Sequence, residues 1–152
     1  MAIQRTFVMI KPDGIQRGLS GKVLQKLDER GMKIVALKML RVTDALAKKH
    51  YEEHVGKDFY QRLLKYITSG PVIVAVIEAP DAVAQVRKMV GATDPAKADV
   101  GTIRHTWAQD ISRNIIHASD SLESAKREIA IYFSPEEILD YGLDVHDWLF
   151  AD

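Results

Sequence analysis

Strand-like and helix-like segments follow one another along this chain in an order that few folds accommodate. The predicted strands, which are rich in β-branched and apolar side chains, are 6–10, 33–42, 71–77 and 114–117. The predicted helices, in which apolar residues recur at helical spacing, are 20–30, 44–51, 58–67, 81–90, a segment containing Leu122, Ala125 and Ile129, and a last short helix opened by Pro135.

Setting aside the pair of short helices at 44–51 and 58–67 leaves a β-α-β-β-α-β core. This order is typical of the ferredoxin-like fold, an antiparallel sheet with helices on one face. We therefore predict an α+β fold with a ferredoxin-like antiparallel sheet and extra short helices. Residues 1–152 are predicted to form a single domain, because no internal repeat, low-complexity segment or linker interrupts them.

The composition is that of an ordinary globular chain and excludes several classes of protein. The chain has 152 residues, of which 47% are hydrophobic, and 0 cysteines, which excludes a disulfide scaffold and a cysteine nucleophile. A formal net charge of +0 argues against a dedicated nucleic-acid binder. The longest apolar run, 71–77, is far shorter than the ~20 residues of a membrane helix, and the N-terminus lacks a signal-peptide pattern. We expect a cytoplasmic protein without membrane partners.

Turn and cap signals mark where several segments begin and end. Pro12-Asp-Gly14 predicts a turn after the first strand. Asp120 followed by Glu123 fits a capping box, with Asp120 as the N-cap of the next helix. Between Gly91 and Arg113 both helical and strand periodicity are lost. This predicts a long irregular loop, and such loops are more often functional than idle.

Glycines at 14, 18 and 21 raise the question of a phosphate-binding loop. The Walker spacing requires a glycine at 16 and Ser or Thr at 23, where this chain has Gln16 and Val23. No G-x-G-x-x-G sequence is present either. The glycines therefore predict a turn between the first strand and the first helix.

Two histidine arrangements are candidates for chemistry. His50 and His54 have the i, i+4 spacing of a helical zinc pair, but His54 falls where the helix ends and no third ligand is evident, so we predict no metal held by the protein itself. His117 ends a strand before a helix start, where backbone N–H groups and the helix dipole favour phosphate. Glu128, on that helix, is either a surface carboxylate or the group that orients the His117 ring.

Basic residues frame the irregular stretch: Arg87, Lys97, Arg104 and Arg113. Arginine forks suit phosphate oxygens. From the charges alone, a solvated basic loop is an equally good interpretation. The residues by themselves indicate a phosphate-binding α+β enzyme with a histidine in its site.

Four collinear segments carry a resemblance to a known family. They are 6–18 (TFVMIKPDGIQRG), 67–71 (ITSGP), 101–104 (GTIR) and 114–121 (NIIHASDS). In order and spacing they resemble nucleoside diphosphate kinases along nearly the whole chain. The resemblance implies transfer of the γ-phosphate of a nucleoside triphosphate, typically ATP, to a nucleoside diphosphate by a ping-pong route through a phosphohistidine. It also implies Mg²⁺ carried by the nucleotide phosphates, and a homo-oligomer, with a hexamer favoured over a tetramer.

Matching the family's motifs position by position implies roles for individual side chains. The nucleophile is His117, phosphorylated on Nδ1, with Glu128 as the carboxylate that orients it and Ser119 close by. The other implied site residues are Lys11 and Tyr51 near the transferred phosphoryl, the phosphate binders Arg87, Thr93 and Arg104, the ribose partner Asn114, and Phe59, on which the base stacks.

Two departures from the family pattern lie in the irregular stretch. Val100 stands where the family usually has proline, and His105-Thr-Trp107 replaces the commoner Gly-Asp-aromatic. They affect the rigidity of the loop and subunit contacts rather than the chemistry.

Two other functions remain as alternatives. One is a ferredoxin-like binding module, either an RNA binder or a nucleotide sensor. An RNA binder needs paired aromatics on its strands and a basic face, which are missing here, and a sensor does not need His117. The other is a protein-histidine phosphotransfer domain, which does not call for ribose and base contacts.

Overall fold

The computed structural model describes residues 2–151, which include a four-stranded sheet. The strands are β1 (Ile3–Ile10), β2 (Lys33–Arg41), β3 (Pro71–Pro80) and β4 (Ile116–Ala118). The helices are α1 (Pro12–Gln16), α2 (Ser20–Glu29), α3 (Asp44–His50), α4 (Tyr60–Ile67), α5 (Ala82–Val90), α6 (Ile103–Trp107), α7 (Leu122–Tyr132) and α8 (His146–Leu149). Within residues 2–151, none of the helices combines the length and apolar character needed to cross a membrane.

The strands lie in the order β2-β3-β1-β4, and each is antiparallel to its neighbours. This arrangement confirms the predicted fold class. β1 pairs with β3 along its full length, and β4 pairs with the end of β1, where His117 lies opposite Met9. The short edge strand therefore brings His117 beside the end of β1 and the residue that follows it, Lys11.

Helices cover both faces of the sheet, because alternate strand residues point to opposite sides. In β1, Val8 and Ile10 pack with α2 and α5, whereas Phe7 and Met9 pack with α3, α4 and α7. The expectation that helices cover one face was wrong. The short helices α3 and α4, which are additions to the core pattern, help to close the second face.

The segment after β1 is a short helix rather than the predicted turn. Pro12 opens α1, where its fixed φ suits a helix start. Gly14 is needed here because a Cβ atom would lie 2.9 Å from Cγ2 of Ile10 and 3.0 Å from the carbonyl oxygen of Ile115. The close approach of α1 to the chain before β4 therefore depends on this glycine.

The cap of α7 lies one residue later than predicted. Ser121, not Asp120, is the N-cap, and its hydroxyl accepts a hydrogen bond from the backbone N–H of Ser124 at 3.0 Å. Ser121 has the extended backbone that an N-cap requires, with φ of −156° and ψ of 165°. Asp120 is left exposed beside β4.

The stretch 91–113 is not the structureless loop that was predicted. It contains a 3₁₀ turn at Pro95–Lys97 and the helix α6, which Thr102 caps by accepting a hydrogen bond from the N–H of His105 at 3.2 Å. Such short elements leave no periodicity in the sequence. The last predicted helix is likewise a 3₁₀ turn, Pro135–Glu137, and α8 was not predicted.

Candidate active site

The predicted site residues surround a cleft with a volume of about 1120 Å³. One wall comes from α3, α4 and the chain between them, and the other from 91–113 and β4. The predicted residues that line the cleft are Lys11, Tyr51, Phe59, Arg87, Thr93, Arg104, Asn114, His117 and Glu128. Ser119 lies outside the lining, fully buried and in contact with Glu128.

His117 lines the cleft and is held there by a buried carboxylate. Its Nε2 lies 2.6 Å from Oε1 of Glu128, so an Nε2–H donates to the carboxylate. The side chain of His117 is 27% exposed, whereas that of Glu128 is 5% exposed. With Nε2 engaged, the lone pair of a neutral ring lies on Nδ1. The geometry therefore presents Nδ1 as a nucleophile.

Glu128 is ionised although it is buried. Burial raises the pKa of Glu128, but its interactions with His117 and the hydrogen bond from Ser119 outweigh burial, and the net pKa is below the usual range. The hydroxyl of Ser119 donates to Oε1 at 2.7 Å, and a guanidinium nitrogen of Arg127 lies 3.7 Å from Oε2. The carboxylate is thus a fixed negative partner for the imidazole.

A strained residue shapes the chain just before His117. Ile115 has a φ of +76°, which is costly for a β-branched side chain. Its N–H donates to Oδ2 of Asp13 at 3.0 Å, and its carbonyl accepts from the N–H of Lys11 at 2.8 Å. Both backbone groups are therefore tied to the segment after β1, and Asn114 and His117 can line the same cleft.

Tyr66 belongs to the same support and was missed by the sequence analysis. Its hydroxyl donates to Oδ1 of Asp13. The guanidinium of Arg113 lies 4.2 Å from the centre of its ring, and Nζ of Lys11 lies 5.6 Å from it. No local pattern marks Tyr66, since Asp13 is 53 residues away in the sequence.

Positive charges crowd together at the cleft. Burial, together with the positive charge of Arg104, lowers the pKa of Lys11 to about 8. Burial also lowers the pKa of Arg104 to about 10, with a contribution from the charge of Arg87. These cations disfavour one another, so an anion in the cleft relieves their repulsion.

The two arginines also brace the backbone around the nucleophile. The guanidinium of Arg104 donates to the carbonyls of Gly91 at 3.0 Å and Ile116 at 2.6 Å. Arg87 donates to the carbonyl of Ala118 at 3.1 Å. Because these carbonyls flank His117 and open the 91–113 stretch, the arginines hold both walls together.

The remaining predicted residues occupy the deep part and the mouth of the cleft. The amide of Asn114 donates to the carbonyl of Thr93 at 3.0 Å, and its Oδ1 accepts from the ammonium of Lys11. Tyr51 is buried, and burial raises the pKa of its hydroxyl, which stays protonated. Phe59 is 40% exposed and offers an accessible ring face.

His50 lies between the nucleophile and the core. Its ring centre is 4.8 Å from that of His117, and its Nδ1 is 2.8 Å from the hydroxyl of Tyr132. Burial lowers the pKa of His50 to about 3, with a contribution from His117, so the ring is neutral. His54 contacts Lys57 instead, with 3.1 Å between Nδ1 and Nζ.

A family profile described as nucleoside diphosphate kinase matches residues 4–138. The chain belongs to the nucleoside diphosphate kinase family. It is 54% identical to the nucleoside diphosphate kinase of Pelotomaculum thermopropionicum over 97% of this chain and 99% of the relative. It is 49% identical to that of Archaeoglobus fulgidus over 99% of each chain.

Solved structures give the same result. The halophilic nucleoside diphosphate kinase from Halobacterium salinarum, in complex with CDP, superposes with a TM-score of 0.95 at 44% identity, covering 98% of this chain and 99% of that one. A transition-state mimic of the Borrelia burgdorferi enzyme, with bound vanadate and ADP, superposes with a TM-score of 0.89 at 39% identity, covering 94% of each chain.

Family membership settles the activity of the chain. It is an enzyme, a nucleoside-diphosphate kinase, which transfers phosphate from a nucleoside triphosphate to a nucleoside diphosphate. The predicted family, fold class and activity are confirmed. A binding module without activity is not supported.

Proposed function

We propose that this enzyme transfers phosphate in two steps through a phosphorylated His117. In the first step the Nδ1 lone pair attacks the γ-phosphorus, the bond to the β,γ-bridging oxygen breaks, and the nucleoside diphosphate leaves. In the second step a terminal phosphate oxygen of the acceptor attacks the phosphoryl group, and the lone pair returns to Nδ1. A covalent intermediate of this kind produces ping-pong kinetics.

The observation that carries this proposal is the 2.6 Å hydrogen bond between Nε2 of His117 and Glu128. It fixes the tautomer that leaves Nδ1 unprotonated. It also places a carboxylate where it stabilises the positive charge that a phosphorylated ring develops. Ser119 keeps that carboxylate in place.

The charged residues of the cleft suit the phosphates. Phosphoryl transfer depends mainly on positioning and on stabilising charge on the equatorial oxygens. We assign that task to Lys11, Arg87 and Arg104, with Thr93 as a further phosphate contact. Tyr51, which is protonated and lines the same cleft as His117, is assigned to donate a hydrogen bond to the transferred group.

The sugar and base contacts fall to residues further out. Asn114 is assigned to a ribose hydroxyl, and Phe59 offers a ring for stacking. Every base has a π face, so stacking discriminates little between bases. The relatives with bound CDP and ADP support this assignment, since one nucleotide is a pyrimidine and the other a purine. We expect purine and pyrimidine acceptors to be used, and strict use of one base contradicts the assignment.

Mg²⁺ fits this site as a metal brought by the nucleotide. Mg²⁺ prefers oxygen ligands and keeps several waters. The carboxylates that line the cleft are Glu53, Asp120 and Glu128, and Glu128 is already engaged by His117 and Ser119. We therefore assign Mg²⁺ to the nucleotide phosphates, whose charge it would neutralise when bound. Exposed Asp120 is the carboxylate nearest to His117 in the sequence.

We also propose that residues 1–152 act as one domain in a homo-oligomer, a hexamer rather than a tetramer. The edge strand β2 exposes Leu37 and Met39, at 50% and 59%, and edge strands with exposed apolar side chains tend to be covered by a partner. The mass by light scattering tests the assembly. We also propose that the enzyme acts in the cytoplasm, on the nucleotides present there.

The proposal is tested by incubation with γ-labelled ATP, followed by an unlabelled nucleoside diphosphate. The protein is expected to take up label that is lost in acid, stable in alkali and released by the diphosphate. His117→Ala is expected to take up none, whereas His105→Ala, a matched change at an exposed histidine, keeps the label. Acid-stable label, or label retained in His117→Ala, contradicts the proposal. Label that the nucleoside diphosphate does not release also contradicts the proposed route.

A further inference from the structure

Three groups that bind transition metals meet beside the nucleophile. His50, His117 and Glu128 each offer a ligand atom, and these atoms all lie within 4.8 Å of one another. His50 has no part in the phosphoryl transfer described above. The set combines two imidazoles with one carboxylate and lies at the wall of an open cleft.

The second ring nitrogen of His50 is buried without a partner. Nδ1 lies 2.8 Å from the hydroxyl of Tyr132, whereas Nε2 makes no hydrogen bond with any group in residues 2–151. The residue is only 4% exposed. Buried polar atoms are almost always paired, so an orphaned imidazole nitrogen beside two other metal-binding groups is unusual.

The contact with Tyr132 determines which nitrogen of His50 is available to a metal, which binds a neutral imidazole. Nδ1 lies 2.8 Å from the Tyr132 hydroxyl, which can accept the Nδ1–H. In that tautomer Nε2 keeps its lone pair.

We propose that His50, His117 and Glu128 form a binding site for a zinc-like divalent transition metal, and that a bound ion switches phosphoryl transfer off. Two histidines and one glutamate with an open fourth position form a donor set typical of Zn²⁺. Mg²⁺ prefers oxygen ligands and stays with the nucleotide. The chemistry of the donors therefore separates the two metals.

The spacing of the ligands is compatible with a tetrahedral ion. With Zn–N and Zn–O bonds of ~2.0–2.2 Å, ligand atoms on such an ion lie roughly 3.4 Å apart. Since the three ligand atoms already lie within 4.8 Å of one another, side-chain adjustment alone is enough to close that difference. Two of the proposed ligands are already held in orientation by a hydrogen bond with a neighbouring side chain: Tyr132 contacts His50, and Ser119 contacts Glu128.

Either nitrogen of His117 leads to inhibition when it binds the ion. If the ion takes Nδ1, the nucleophilic lone pair is used up. If the ion takes Nε2, the one proton of the neutral ring is displaced from Nε2 to Nδ1, and the lone pair of Nε2 binds the ion. In both cases Nδ1 cannot attack phosphorus. The inhibition rests on the proposed role of His117, whereas the binding of the ion does not.

Binding is measured by calorimetric titration of the metal-free enzyme with Zn²⁺ alone, and with Co²⁺ followed by its visible absorption. We expect one Zn²⁺ per chain and a four-coordinate Co²⁺ spectrum. His50→Gln is expected to raise the Kd at least tenfold. His54→Gln, a matched change four residues away, is expected to change it less than twofold.

Three outcomes overturn the proposal: no binding to the wild type, unchanged affinity in His50→Gln, or equal losses in His50→Gln and His54→Gln. Should His50→Gln fail to fold, Tyr132→Phe is the second variant, and it is expected to weaken binding several-fold by removing the partner of Nδ1. Unchanged affinity in Tyr132→Phe then counts against the site.

Inhibition is read separately, as the ratio of Mg²⁺-ATP turnover with and without added Zn²⁺. Wild type and His54→Gln are expected to be inhibited at the Zn²⁺ concentration that fills the site. Turnover that persists with the site filled overturns the switch. If His117→Ala still takes up label while the wild type binds Zn²⁺, the phosphohistidine proposal fails and the metal site stands.

Discussion

Val100 occupies a turn in which proline is the favoured residue. The carbonyl of Asp99 accepts the N–H of Thr102 at 3.2 Å, and Gly101 has a φ of +93°. A four-residue turn with positive φ at its third residue is of type II, and proline is common at the second. Val100 is that second residue. It is 84% exposed, and its N–H makes no hydrogen bond with the described residues.

Val100→Pro is therefore expected to stabilise the protein. The proline ring removes no hydrogen bond of the native state and reduces the conformational entropy of the unfolded chain. The free energy of unfolding is therefore expected to rise by about 0.4–1 kcal/mol per subunit. For a chain of this size the gain corresponds to a rise in Tm of about 1–4 °C. Scanning calorimetry at equal subunit concentration measures it, because the proposed assembly would make Tm depend on concentration. Activity is expected to be unchanged, since Val100 lies outside the cleft lining.

Gly101→Ala is the matched control in the same turn. A Cβ atom at Gly101 meets nothing within 4 Å, so the positive φ alone sets its cost. Tm is expected to fall in this variant, because the strain of alanine at a positive φ costs more free energy than is gained by restricting the unfolded chain. A lower Tm for Val100→Pro refutes the type II geometry. It would mean that His105 and Trp107 hold this segment in another way.

Three further predictions concern the cleft. Lys11→Ala and Arg87→Ala are each expected to lower kcat/KM at least tenfold, because a hydrogen bond to a charged group contributes ~1.5–3 kcal/mol. Steady-state kinetics close to those of the wild type would contradict the assignment of these residues to the phosphates. Tyr66→Phe loses the hydrogen bond to Asp13, so the free energy of unfolding measured in urea is expected to fall by about 1 kcal/mol and kcat to fall several-fold. Wild-type values for both would show that this hydrogen bond is dispensable. Folding lowers the pKa of His50 from 6.5 to about 3, so between these pH values the unfolded chain binds a proton that the native chain does not. The free energy of unfolding is therefore expected to decrease as the pH falls from 6.5 toward 3, and His50→Gln is expected to make that decrease smaller in urea unfolding at a series of pH values.

The sequence by itself determined the order of the segments, the fold class and the family. Each of these depends on local information: apolar periodicity, turn residues, and four motifs in one order. The octapeptide around His117 identified the family without any knowledge of which residues touch one another. Elements too short for a period, such as α1 and α6, escaped that analysis, and so did the exact cap of α7.

Only the tertiary structure decided which side chains meet. Spacing along the chain pairs His50 with His54, but the sheet order places His50 against His117, and Tyr132 completes its surroundings. Likewise Tyr66 reaches Asp13 across 53 residues. Local spacing specifies which residues share a helix face. Contacts between distant segments depend on how the strands are ordered and how helices close both faces, which is set by packing of the whole core.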